Sequence, residues 1–308
     1  MNEPIVFIGA GPVAAASLAL LTDIFTIEAV ITKPRPDHFH GEVPVLDIAK
    51  RHRIPIIEVT NKKDVTEKII AHKFKSRVAV LIDFGIIIEQ KVIDSFPLGI
   101  VNSHFSLLPQ WRGADPITFA ILSGQDVTGV SLMLLVQAMD EGPLLAVGEV
   151  PLHDKITITE LTDELIDVSF ALLTDILPKY VSGELQESPQ EAIAELVGYS
   201  SKPTYSRKLT KEDSVLDWNK PAEQLAREVR AFLDWPKSRA VIGRHAVILT
   251  AAHAEGGNGM PGALWLRDKR LGIYCADGIL VIDRLKPAGK ADMSAESFLN
   301  GYGKSLNT

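Results

Sequence analysis

The chain has 308 residues, a length that favours two domains over one, and 46% of them are apolar, enough for a sizeable core in each. A single cysteine, Cys275, excludes an internal disulfide and any zinc site built on several thiolates, and reads as a small buried residue of a strand in a reducing compartment. The net charge of −7 conceals unlike halves: residues 1–204 hold 16 Lys+Arg against 27 Asp+Glu and residues 205–308 hold 16 against 12, so −11 is followed by +4, the sign a phosphate-attracting appendage needs.

The first predicted strand, residues 5–8, follows Met1-Asn2-Glu3-Pro4 directly. No basic stretch precedes a long apolar run and no segment is suited to span a membrane, so a cytoplasmic protein is expected. Gly9-Ala10-Gly11-Pro12-Val13-Ala14 then fits G-x-G-x-x-A, opens a helix and raises a dinucleotide fold. That reading needs an acidic residue ending the second strand, residues 27–31; the chain delivers Thr32-Lys33 instead, which disfavours NAD and leaves NADP only through Lys33 and Arg35. His38-Phe39-His40 lies among Pro34, Pro36 and Gly41 without a third ligand, and reads as exposed loop histidines rather than a metal site. A helix at 45–52 and strands at 56–59, 77–82 and 100–101 continue the alternation. Near-continuous apolar strands separated by amphipathic stretches predict a parallel sheet covered on both faces, hence a doubly wound α/β domain.

Asn102 and His104, two positions apart behind an apolar run, share one face at the carboxyl end of a strand, where open α/β sheets keep their sites. Strands at 129–136 and 144–150 flank Asp140 on a loop placed to reach His104, and a helix at 158–180 closes the domain. Residues 187–204, acidic and broken by Pro189, Gly198 and Pro203, read as a linker. Beyond it, a helix starting near Pro221 places Leu225, Val229 and Phe232 on one face. Short strands at 246–250, 263–267, 271–275 and 279–285 with glycine turns predict a small, OB-like β-barrel, and Ser294 is suited to cap a helix. The expected division is therefore 1–186, a linker at 187–204, and 205–308.

The string Asn102-x-His104-x-Ser106-Leu107-Leu108-Pro109-x-x-Arg112-Gly113, followed by Asp140 and Gly142, resembles the signature of the 10-formyltetrahydrofolate-dependent formyltransferases. The resemblance implies a Rossmann-like formyltransferase domain that uses 10-formyltetrahydrofolate as co-substrate without a metal, with Asn102, His104 and Asp140 as catalytic residues around the formyl group. Asn102 would donate to the developing oxyanion, and protonated His104 to the same oxygen or to the leaving nitrogen. Asp140 would keep His104 protonated and accept the amine proton through water. The resemblance further implies a folate site formed with Ser106, Leu107, Leu108 and Pro109. It also makes Asp83-Phe84-Gly85-Ile86-Ile87 the loop whose backbone holds the pteridine ring, with Glu89 where the family usually has proline. Ala10, Gly11 and Val13 replace the family's Thr-Pro and aromatic residue, which alters the pocket for the acceptor amine.

Tyr205-Ser206-Arg207-Lys208-Leu209, Arg230 through Pro236, and the closing segments Leu285 through Ser294 and Phe298 through Gly301 are similar to the C-terminal domain of the tRNA-acting branch of that family. This implies a charged initiator tRNA as acceptor and a role in translation initiation, for a chain expected to be monomeric. Phosphate contacts fall to Arg207, Lys208, Arg239, Arg284, Lys286 and Lys290, and to Lys33 and Arg35 on a second-strand loop shorter than the family's. An N-formyltransferase acting on a nucleotide-linked amino sugar would keep the same trio but has no need of the basic closing segment. The readings from other classes are an NADP-dependent oxidoreductase and a non-catalytic RNA-binding module, and the intact trio argues against the latter.

Overall fold

In a computed structural model, which describes residues 3–35 and 43–306, the apolar run at the amino end forms β1 (Ile5–Ile8), and all four of its side chains are fully buried. A strand without a polar face needs cover on both sides, and alternation with helices supplies it. After β1 come α1 (Pro12–Leu21), β2 (Ile27–Thr32), α2 (Pro44–Arg51), β3 (Ile56–Glu58), α3 (Lys62–His72), β4 (Ala79–Leu81), α4 (Gln90–Ile93) and β5 (Ile100–His104). The helix α2 shows the pattern at its clearest: Val45, Leu46 and Ala49 are buried, while Lys50 and Arg51 sit in the last turn, where the helix dipole favours cations. Asn61 caps α3 by accepting the Asp64 N–H at 3.1 Å. His38 and His40 lie outside the described residues.

The chain continues through β6 (Arg112–Gly113), α5 (Pro116–Ser123), β7 (Val127–Leu134), β8 (Leu144–Pro151), α6 (Ile158–Ser182), α7 (Gln190–Val197) and β9 (Tyr205–Ser206). Seven strands form one sheet in the order β3-β2-β1-β4-β5-β7-β8. The first five run parallel, and β7 and β8 add an antiparallel edge. Strand order reverses between β1 and β4, the switch point beside which such sheets bind ligands. The chain forms two compact units, one of Met1–Pro116, Val127–Pro151 and Thr162–Ser206 and a second of Ile117–Asp126, Leu152–Leu161 and Arg207–Thr308.

Residues 187–204 need correction. They are part of the first unit rather than a free linker, and they carry α7. Ser188 and Leu144 exchange backbone hydrogen bonds of 2.8 Å, and Tyr199 donates to the Leu108 carbonyl at 2.9 Å. The helix has only eight residues and opens behind Pro189, so its periodicity is too short to stand out against the acidic residues around it.

The second unit is built on α8 (Ala222–Ala231), β10 (Ser238–Ile242), β11 (His245–Glu255), β12 (Leu264–Arg267), β13 (Arg270–Tyr274), β14 (Ile279–Pro287), β15 (Met293–Ser294) and α9 (Ala295–Tyr302). Its antiparallel ladder runs β10-β11-β14-β13-β12, with β15 on β14. The predicted short strands are present, hydrogen-bonded along this path from β10 to β12. Leu225, Val229, Leu271, Leu280, Leu285 and Phe298 form the core, and Cys275 is buried beside them. Ser294 caps α9 by accepting the Ser297 N–H at 3.2 Å. No helix among the described residues is long and apolar enough to cross a membrane.

Phe298 is fully buried at the centre of this second core. Phe298→Ala should cost about 3–5 kcal/mol by deletion of the ring and the cavity it leaves, read as a lower urea midpoint for the unit's unfolding transition.

Candidate active site

The pleat of β5 separates its last three side chains by face. Ser103 turns one way and shares a 2.7 Å hydrogen bond with Ser169 on α6, whereas Asn102 and His104 project on the other side. Both are only 7% exposed. Among the described residues the Asn102 amide has no hydrogen-bond partner, which leaves it available to a ligand; buried amides otherwise find partners within the protein.

His104 is held by one nitrogen. Its Nε2 lies 3.0 Å from the Trp111 carbonyl, which accepts but cannot donate, so Nε2 carries the hydrogen. Its Nδ1 faces Asp140 Oδ1 at 3.9 Å, too far for a direct hydrogen bond. The other Asp140 oxygen, Oδ2, accepts the Gly113 N–H at 2.7 Å. One oxygen is thereby fixed to backbone and the other is presented to the histidine. The predicted trio is brought together, and the Asp140 backbone takes a left-handed φ of +53° to do so.

Two further residues complete the arrangement. The Gln190 side chain, 3% exposed, donates to the carbonyls of Asp140 at 2.8 Å and Gly142 at 2.9 Å, and accepts from Arg112 Nη2 at 2.8 Å. Arg112 Nη1 in turn meets Glu141 at 3.2 Å. Sequence reading placed Arg112 in the signature without a role and missed Gln190 because it stood in the supposed linker; the available signal was a glutamine directly behind a proline at a helix start. Gly142 is required by contact, since a Cβ there would stand 1.7 Å from the Leu134 carbonyl oxygen.

The side chains of Ser106, Leu107, Leu108 and Pro109 are buried. Ser106 Oγ donates to the Gln110 carbonyl at 2.5 Å, and Ser131 Oγ accepts the Leu108 N–H and donates to the Ser106 carbonyl. Burial and the Glu149 charge raise the Tyr199 phenol, which holds the Leu108 carbonyl, to about 12. These groups shape the segment through packing and turn bonds. Asp83 to Ile87 follow β4, whose Leu81 pairs with Asn102. Phe84 is buried, Ile86 is half-buried, Ile87 is 71% exposed, and Gly85 takes φ +67° beside Lys33 Nζ. Glu89 draws together the Thr66 hydroxyl at 2.6 Å and the ammonium groups of Lys62 and Lys91 at 3.3 Å each; the Thr66 bond leads in bringing its carboxyl down to about 2.

The dinucleotide-like motif has another explanation in the structure. A Cβ on Gly11 would stand 1.7 Å from Asp83 Oδ2, so Gly11 is what lets the carboxylate approach the start of α1, where it takes a backbone hydrogen bond from Ala14. A helix N-terminus already facing a carboxylate is a poor seat for a pyrophosphate. Burial pushes the Asp83 carboxyl above the usual range, with Lys33 opposing and Asp115 reinforcing the shift.

Of the basic residues, Arg239 and Lys286 both stand opposite Ile248 of β11, from β10 and β14, and so share a face, and Arg284 lies two residues before Lys286 on the same strand. Arg284 pairs with Asp292 and Arg207 with Asp213; Lys208 and Lys290 are exposed. Lys33 is exposed, and Arg35 faces Asp47 at 3.8 Å.

Residues 40–177 match the family model described as formyl transferase, and residues 208–303 the one described as formyl transferase, C-terminal domain. The chain is 32% identical to a methionyl-tRNA formyltransferase of Myxococcus xanthus, over 98% of this chain and 96% of that protein. It is 34% identical to that of Coxiella burnetii strain RSA 493, over 99% and 98%. The chain belongs to the methionyl-tRNA formyltransferase family. Among solved structures, an N-formyltransferase from Helicobacter canadensis in complex with folinic acid and dTDP-3-aminofucose aligns over 92% of this chain and 98% of that one, with a TM-score of 0.68 at 18% identity. HypX from Aquifex aeolicus in complex with tetrahydrofolic acid aligns over 99% of this chain, with a TM-score of 0.64 at 17% identity, and the chain spans 48% of its length. At these identities the two structures share the fold.

Within the family fold, the Asp140 loop is the part most sensitive to added volume. Gly142→Ala forces it from Leu134, and overpacking of this kind costs about 1–3 kcal/mol. The expected result is a lower thermal midpoint with displaced His104 ring resonances in NMR spectra of the ligand-free protein.

Proposed function

We propose that the chain transfers the formyl group of 10-formyltetrahydrofolate to the amino group of methionine charged on initiator tRNA, in translation initiation. The observation that carries the reading is the meeting of Asn102, His104 and Asp140 in a chain that matches relatives of that name along nearly its whole length. In the reaction the amine nitrogen attacks the formyl carbon, the carbonyl oxygen gains charge, and the bond to the folate nitrogen breaks. A proton leaves the amine and one reaches the folate nitrogen. The free amide of Asn102 donates to the oxygen as charge develops there. Nδ1 of His104 is the nitrogen free to exchange a proton, because Nε2 is committed to Trp111. Asp140 Oδ1, 3.9 Å from that nitrogen, is the group placed to accept the amine proton through water.

The folate would lie against the loop of Asp83, Phe84, Gly85, Ile86 and Ile87, where Ile87 offers apolar surface, with Ser106, Leu107, Leu108 and Pro109 shaping the adjoining wall. Residues 205–308 would hold the tRNA: Arg239, Arg284 and Lys286 gather on one strand face, and Arg207, Lys208, Lys290, Lys33 and Arg35 add charge elsewhere. Surface pairs such as Arg284–Asp292 contribute about 0–1 kcal/mol, so a phosphate can replace the carboxylate at little cost.

Purified protein given 10-formyltetrahydrofolate and charged initiator tRNA should yield N-formylmethionine. His104→Ala and Asp140→Asn should each lower kcat by about 10²–10⁴-fold, with folate affinity within about threefold of wild type. Loss of folate affinity equal to the loss of kcat would argue against the roles assigned, and formylation of a nucleotide-linked amino sugar alone would redirect the acceptor. Lys286→Ala should weaken tRNA binding and reduce the salt dependence of log K by about one unit of slope, measured by filter binding across a salt series.

A further inference from the structure

We infer that Gln190 is the positioning residue that aims the Asp140 carboxylate at His104. For its effect on rate the inference rests on the formyl-transfer reading; its geometric content does not. The segment 140–142 is gripped at every residue: Gln190 holds the Asp140 and Gly142 carbonyls through its two N–H bonds, and Arg112, itself held by Gln190 Oε1, meets the Glu141 carboxylate. The ring closes one residue beyond Arg112, where the Gly113 N–H takes Asp140 Oδ2. Backbone and side chain of Asp140 are therefore tied to the same short strand, β6, by two routes, one of which passes through the Gln190 amide.

This role suits only a primary amide. Two donors and an acceptor in one plane match two buried carbonyls and a guanidinium; a carboxylate cannot donate, and an aliphatic side chain would leave the carbonyls unpaired. Gln190 is itself anchored, because it opens α7 two residues after Ser188, whose backbone pairs with Leu144 on the far side of the Asp140 loop. The left-handed backbone at Asp140, uncommon for a residue with a side chain, is kept by these contacts while Oδ1 faces Nδ1 of His104.

The test uses Gln190→Leu and Gln190→Glu in the full chain. Gln190→Glu keeps the volume and the acceptor for Arg112 but turns an oxygen toward the two carbonyls, so it carries the same expectations should Gln190→Leu fail to fold. Each variant should lower kcat by about 10- to 100-fold with the Kd for tetrahydrofolate within about threefold of wild type, since misplacement of a reacting group by about 1 Å costs that much. In an Asp140→Asn background the same substitution should cost less than about threefold more, because no carboxylate remains to aim. Equal losses in both backgrounds, an unchanged kcat, or a loss confined to Kd would overturn the inference. If the wild-type protein forms no formylated product, the formyl-transfer reading fails, and Gln190 is judged on the ¹⁵N shift of His104 Nδ1 in the ligand-free protein. That shift should differ between wild type and Gln190→Glu; identical shifts overturn the inference.

Discussion

The site is organised by the division of labour between the two oxygens of Asp140. With Oδ2 on the Gly113 N–H, the carboxylate cannot swing, and Oδ1 is left facing His104 Nδ1. The histidine is fixed in a complementary way, because the bond from Nε2 to the Trp111 carbonyl sets its tautomer and leaves Nδ1 toward the carboxylate. Both anchors, Trp111 and Gly113, flank Arg112, so one short stretch holds the imidazole and the carboxylate together.

The fold explains how residues distant in sequence reach one another. The parallel strands deliver Asn102 and His104 to the carboxyl edge of the sheet, and another element must bring the third group to them. The antiparallel hairpin of β7 and β8 does so, through a loop that folds back under the constraint of Gly142. Gln190 and Thr204 then return from beyond α6: the first grips the hairpin loop, and the second takes the backbone N–H of Arg112 at 2.9 Å while its hydroxyl takes that of Trp111. The result is a preorganised polar network in which, among the described residues, the Asn102 amide and Arg112 Nε are left without a partner.

Much of this was legible in the sequence, and the parts that were not share a cause. The strands at residues 5–8, 27–31 and 144–150, and the long helix from residue 158, announced themselves because burial on both faces leaves an apolar run and burial along one stripe leaves a periodic trace. Asn102, His104 and Asp140 were singled out by the resemblance of the string from Asn102 to Gly142 to the formyltransferase signature; the two-residue spacing alone says only that Asn102 and His104 share a face. What escaped was set by side-chain geometry. Gln190 sits in a helix too short to show a period, and the approach of Asp83 to Gly11 looks in sequence like a nucleotide motif, because a glycine demanded by a carboxylate reads the same as one demanded by a phosphate. Four short strands of the second unit, β11 to β14, were foreseen, but β10 and β15 were not, and the register that gathers Arg239 and Lys286 on one face depends on pairings no local pattern encodes.

The most direct measurement is the crystal structure of the protein with a stable formyl-folate such as folinic acid. The account predicts the pteridine against the Asp83 to Ile87 loop and the formyl group beside Asn102 and His104, with its oxygen within hydrogen-bond distance, about 2.7–3.2 Å, of the Asn102 amide. Folate bound elsewhere, or with the formyl group turned away from Asn102, His104 and Asp140, would contradict it.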